Sequence, residues 1–148
     1  MPNPFLCLCL NSLWGLQALP DTVSFWNHLS DLRSFQEKKL LTLLAQNQDT
    51  EFGKAHQFQR IHSLETYQNQ VPIRTYEGFL PWIERIMKGE QGILTTAPVT
   101  LFEPTGGSTG GAKLIPYTAS LKREFQRAIN PWILNLFYHL PQLMKGRS

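Results

Sequence analysis

Pro104-Thr105-Gly106-Gly107-Ser108-Thr109-Gly110-Gly111-Ala112-Lys113 is a run of hydroxyls and glycines closed by one lysine. Glycines lack a Cβ, so neighbouring backbone N–H groups can turn together toward an anion, and Ser and Thr hydroxyls add further donors. Lys113 supplies a point charge. The composition reads as a phosphate grip. A Walker A loop counted from Gly106 requires Lys at 112 and a hydroxyl residue at 113, but the chain carries Ala112 and Lys113 there. The dinucleotide fingerprint opens with glycines two apart, a spacing this loop never offers. The competing reading is a flexible hairpin connection with ordinary turn chemistry. The loop by itself leaves both readings open.

Its flanks place it between strands. Ile93 to Thr95 and Val99 to Phe102 are short β-prone runs separated by Ala97-Pro98, and Leu114-Ile115 resumes an extended run after the loop. Strand, loop, strand differs from a Walker loop, which feeds a helix N-terminus. Beyond it, Thr118 is placed to cap a helix whose apolar positions include Leu121, Phe125, Ile129, Trp132, Ile133 and Leu140. Pro131 should kink or split that helix, and Pro141 ends it.

Upstream, Phe25, Leu29, Leu32, Leu40, Leu43 and Leu44 recur at helical spacing and predict one amphipathic helix from Ser24 to about Gln46. Ser63 should cap a short helix to Asn69, with Pro72 barring continuation. Thr75-Tyr76-Glu77 opens a helical turn. Pro81 suits the first position of a further helix that carries Trp82, Ile83, Ile86 and Met87 to a stop at Gly89.

At 148 residues, 42% hydrophobic and 17% charged, the chain reads as soluble, globular and long enough for one core. The net charge of +3 is mild, and the basic residues are scattered, with no run longer than Lys38-Lys39 or Lys122-Arg123, so no nucleic-acid partner is indicated. Cys7 and Cys9 are too few to close a zinc site and read as buried small apolar residues. His28, His56, His62 and His139 lack metal-ligand spacing and read as solvated or capped. The apolar run Phe5 to Leu19 is shorter than the ~20 residues of a membrane span. No basic residue precedes it as a signal peptide requires, so a cytoplasmic location and no membrane partner are expected.

The segments Val71-Pro72-Ile73-Arg74-Thr75-Tyr76-Glu77, Trp82-Ile83-Glu84-Arg85-Ile86, Gly89-Glu90, Leu94-Thr95, Val99-Thr100 and Lys113-Leu114-Ile115-Pro116 together resemble the auxin-responsive acyl-acid amido synthetase family. Thr50-Glu51-Phe52-Gly53 and Leu10-Asn11-Ser12-Leu13-Trp14 look like the family's opening, so the similarity covers nearly the whole chain. The resemblance implies the acyl-adenylate-forming superfamily. Its members use ATP and Mg²⁺ to activate a carboxylic acid as acyl-AMP, then pass the acyl group to an amine or amino acid. It also assigns Thr105, Gly106, Gly107, Ser108, Thr109, Gly110, Gly111 and Lys113 to the ATP phosphate loop. One departure is Gly106, where the family usually carries a hydroxyl residue. A lost charge-assisted hydrogen bond to phosphate costs about 1.5–3 kcal/mol unless something replaces it.

Family proteins are several times longer, and the adenine, acyl-acid and amine sites come from later sequence. The expectation is therefore an α/β chain, residues 1–148 being the incomplete N-terminal part of an adenylate-forming ligase's large domain. It should be helix-rich, with short strands flanking the phosphate loop, and inactive alone. The rival expectation is a non-catalytic remnant or interaction module that pairs, through its wide apolar helix, with a separately encoded C-terminal half.

Overall fold

The computed structural model describes residues 3–106 and 113–146. They fall into two compact units, one spanning Arg33–Leu121 and the other joining Met1–Leu32 to Lys122–Ser148. Most of the architecture is helical: α1 (Pro4–His28), α2 (Leu32–Asn47), α3 (Glu51–Ala55), α4 (Leu64–Gln70), α5 (Tyr76–Met87) and α6 (Ala119–His139). Strands β1 (Val99–Thr105) and β2 (Lys113–Thr118) pair antiparallel and form the one sheet among the described residues.

The unit spanning 33–121 is built around Leu44, Ile61, Ile83, Ile86 and Ile93, all buried. Its helices begin where short hydroxyl side chains can satisfy the free N–H groups of a first turn. Ser63 Oγ accepts the Thr66 N–H at 3.1 Å to open α4, and Thr118 Oγ1 accepts the Leu121 N–H at 3.2 Å to open α6. Thr50, fully buried, does the same for α3 by accepting the Gly53 N–H at 2.9 Å. All of the first donors of α3 are satisfied, because Glu51 N–H and Phe52 N–H donate to the carbonyls of Gly92 and Ile93 at 2.8 and 3.1 Å, and Lys54 N–H reaches Thr50 O at 2.9 Å.

That pairing corrects one expectation. Ile93 to Thr95 is not a strand. The Ile93 carbonyl, together with that of Gly92, goes to α3, and Ile93 itself drops into the core at 2% exposure. Other boundaries move too. The single helix expected from Ser24 is interrupted by a 3-10 turn at Leu29–Asp31, which separates α1 from α2. The mixed segment after Thr50 contains a real helix, α3, held by the bonds just described. Pro81 does not start a helix: it sits inside α5, and Pro131 sits inside α6 without splitting it.

In the other unit, Asn3 caps α1 by accepting the Phe5 and Leu6 N–H groups at 3.0 and 3.5 Å, with Pro4 in the first turn. Gly15 and Ala18 are its buried positions. The Asp21 carboxylate accepts from Arg127 Nε at 3.0 Å and from the Asn130 amide at 2.7 Å, and Asn130 in turn accepts from Gln126 at 3.1 Å. Trp14 meets Phe137 edge-on with ring centroids 6.1 Å apart. Part of the apolar stripe of α6 stays in solvent, with Phe125 61% and Trp132 59% exposed. Cys7 is half-buried and Cys9 exposed, so neither is the buried residue that was expected. Among the described residues, no helix is long and apolar enough to cross a membrane.

Candidate functional site

The end of the β1–β2 hairpin carries the described part of the glycine-rich stretch. Thr105 pairs with Lys113 as the last rung of the ladder, followed inward by Pro104 with Leu114 and Glu103 with Ile115. Directly paired residues in an antiparallel ladder stand about 5 Å apart and present their side chains on one face. The hydroxyl and the ammonium therefore flank the mouth of the loop. Gly106 leads out of β1, and a Cβ built on it would meet no atom of the other described residues within 4 Å. Gly107, Ser108, Thr109, Gly110 and Gly111 lie outside the described residues.

Behind Lys113 stands the first turn of α5. The Tyr76 hydroxyl accepts the Leu114 N–H at 2.8 Å and lies 3.4 Å from the Leu114 carbonyl oxygen, to which it donates. Its ring lies under the lysine, with Lys113 Nζ 5.6 Å from the ring centroid, within the range of a cation–π contact. Glu77 is next in the chain. Its carboxylate is held below its ordinary value of 4.5 by its own backbone N–H, then by the Thr75 hydroxyl and, with a smaller effect, by the Lys113 charge, against some loss of hydration. Lys113 thus has an aromatic face within cation–π range, and its charge adds to the lowering of the Glu77 carboxylate.

A second cluster builds the scaffold. Phe52 stacks on His56 with centroids 4.1 Å apart, meets Trp82 edge-on at 5.0 Å, and also touches Phe58 and Phe79. Arg74 lies 5.7 Å from the Phe52 ring centroid and donates to His56 Nε2 at 3.1 Å, while His56 Nδ1 donates to the Phe52 carbonyl at 2.9 Å. His56 is a buried structural residue, not a solvated one. Glu51, next to Phe52 in sequence, binds the Arg85 guanidinium through both carboxylate oxygens, and Glu90 binds the same guanidinium at 2.6 and 2.8 Å. Gly53 allows the close approach behind this cluster: a Cβ there would lie 2.1 Å from the Asn47 carbonyl oxygen.

Thr50 to Gly53, Arg74 and Arg85 stand out in the sequence only as parts of a resemblance, and Thr75 to Glu77 also as the opening of a helical turn, where α5 does begin. The aromatic spacing Phe52, His56, Phe58 was the signal available for the cluster. Nothing in the sequence announces that Tyr76 reaches Leu114. No group of three His, Cys, Asp or Glu among the described residues is arranged to hold a metal.

Residues 24–148 match the GH3 family N-terminal domain. The chain belongs to the GH3 family. The matched range begins after the Leu10 to Trp14 motif and contains all the residues of both clusters. Among curated GH3 relatives, indole-3-acetic acid-amido synthetase GH3.2 of Arabidopsis thaliana is 32% identical over 119 residues, covering 78% of this chain and 21% of that protein. Indole-3-acetic acid-amido synthetase GH3.5 of Arabidopsis thaliana is 34% identical over 100 residues, covering 66% of this chain and 16% of that protein. In structure, this GH3 chain is similar to AtGH3.15 acyl acid amido synthetase in complex with 2,4-DB. The TM-score is 0.65 and the identity 25%, over 80% of this chain and 21% of that one. This GH3 chain thus spans about a fifth of the length of the relatives it matches.

Proposed function

We propose that the chain supplies the nucleotide-phosphate grip of an ATP-dependent acyl-acid amido synthetase, which activates a carboxylic acid by adenylation and conjugates it to an amine or amino acid. The observation that carries this reading is the pairing of Thr105 with Lys113 across the mouth of the glycine-rich stretch. A hydroxyl, a cation and space beside Gly106 that no other described residue fills make a donor set suited to an anion rather than to a metal. Mg²⁺ belongs to the reading as an ion carried on the nucleotide's phosphates, a usual mode for this cation.

The mechanism asks little covalent chemistry of these residues. When a carboxylate attacks the α-phosphorus of ATP, the bond to the bridging oxygen breaks and pyrophosphate leaves with added negative charge. Donors already in place around the β- and γ-phosphates stabilise that charge more in the transition state than in the ground state. Lys113 contributes a full charge, Thr105 a hydroxyl, and the stretch Gly106 to Gly111 backbone N–H groups. The family membership and the names of the relatives support the reaction class; the acyl acid and the amine are left to sequence outside this chain.

The test is a chimera in which residues 24–148 replace the matching segment of AtGH3.15. Carboxylate-dependent exchange of pyrophosphate into ATP should persist, and Lys113→Ala should lower it by tenfold or more, the loss of about 1.4 kcal/mol of charge-assisted binding. Unchanged exchange in Lys113→Ala would remove the lysine from the grip.

A further inference from the structure

We infer that Tyr76 is a positioning residue for Lys113: it fixes the backbone at the lysine's C-terminal side and gives the ammonium a resting place beside the mouth of the loop. The inference rests on the phosphate-binding reading above and deepens it, since it names what aims the cation at the anion.

Two contacts carry it, made by different parts of one side chain. The hydroxyl takes the Leu114 N–H at 2.8 Å, in the backbone that follows Lys113, and returns a longer donation to the Leu114 carbonyl. The main chain entering β2 is therefore pinned to the first turn of α5. The ring lies 5.6 Å from Lys113 Nζ, so the exposed, long lysine side chain has a favoured direction instead of a free sweep. Glu77, the next residue, adds a carboxylate within electrostatic reach of the same ammonium.

Such a resting place suits a cation that must be vacant but ready. A cation–π contact at an exposed site is weak, whereas a phosphate oxygen binds an ammonium by a charge-assisted hydrogen bond of roughly twice ordinary strength. An arriving anion can thus draw Lys113 off the ring while the hydroxyl still holds Leu114. The two functions separate by substitution. Tyr76→Phe keeps the ring and deletes the pin, and Tyr76→Leu deletes both.

The experiment uses the whole 148-residue chain and solution NMR, with magnesium tripolyphosphate and magnesium ATP as probes. In the wild type, the Lys113 ε-methylene protons should be displaced upfield by the Tyr76 ring current and should return toward ordinary positions as either probe is added. Tyr76→Phe should speed exchange of the Leu114 amide by about tenfold and weaken probe affinity by about threefold to tenfold, the range expected for one hydrogen bond. Tyr76→Phe added to Lys113→Ala should cause no further loss of affinity. If Tyr76→Phe and Tyr76→Leu accelerate Leu114 exchange but leave affinity as in the wild type, while Lys113→Ala weakens it, Tyr76 only holds the hairpin together and the inference is overturned. If neither probe is taken up by the wild type, or Lys113→Ala changes nothing, the phosphate reading itself fails and takes the inference with it.

Discussion

Arg85 donates two terminal nitrogens to the two carboxylate oxygens of Glu51, at 2.6 and 2.7 Å, and so ties the first turn of α3 to the last turn of α5. The fork-to-fork geometry keeps the Glu51 carboxyl ionised to lower pH than usual: the Arg85 hydrogen bond lowers it most, then the Arg85 and Lys54 charges, against some loss of hydration. Arg85 is shifted upward by the same hydrogen bond, with Glu90 as the second cause. A carboxylate depressed in the folded state stabilises the fold fully above its ordinary value of 4.5 and loses that contribution as pH falls through the lower folded value. Glu77 acts in the same direction. Thermal melts should therefore show Tm falling below pH 4.5, and Glu51→Gln should start lower at neutral pH and flatten that fall. A Glu51→Gln curve parallel to the wild type would remove the pair from the account.

Gly53→Ala should destabilise the chain by about 3 kcal/mol or more, because the new methyl meets main-chain oxygen atoms rather than a pliable side chain. The Cβ would lie 2.1 Å from Asn47 O and 2.9 Å from Gln48 O. Thr50→Val, which keeps the shape and removes the cap, should cost about 1–2 kcal/mol. Urea unfolding of both variants checks the order, Gly53→Ala the more severe.

Gly106→Ser should be tolerated without loss of stability, since none of the other described residues comes within 4 Å of a Cβ at this position. In the AtGH3.15 chimera it should raise pyrophosphate exchange by restoring a donor, with a ceiling set by the roughly 1.5–3 kcal/mol of one charge-assisted hydrogen bond. Lower exchange with unchanged stability would count against a phosphate at this position.

Phe125→Ser with Trp132→Gln should reduce self-association of the isolated chain, because both side chains stand more than half in solvent on α6. Light scattering against concentration reads this directly. An equal slope for wild type and double variant would show that association, if any, uses another surface.

What could be read from the residues follows the physics of each signal. Ser63 and Thr118 were legible as helix starts because a cap is a local event, a hydroxyl and an N–H within three residues. The strands bounding the glycine stretch were legible for the same reason, as runs of β-formers broken by turn residues. Pro81 misled because its preference for a first turn was weighed without the preceding Tyr76 to Leu80, which already continue the helix. Ile93 misled because its partners, the α3 amides, lie far away in sequence. The site divided in the same way: Lys113 could be read from composition, but Tyr76, whose bond to Leu114 spans the whole of α5 and β1, could not.

The reliance of α3 on Gly92 and Ile93 also orders events during synthesis. Glu51 and Phe52 leave the ribosome with amides that have no lasting acceptor, and the five-residue helix is too short to persist unaided. At about 5–20 residues per second, several seconds pass before the two carbonyls emerge. The Phe52 ring waits in the same way, for a shorter time, for Phe79 and Trp82, so a nascent chain emerged only as far as Gly78 would offer an uncovered aromatic to chaperones, and one emerged past Ile93 would not.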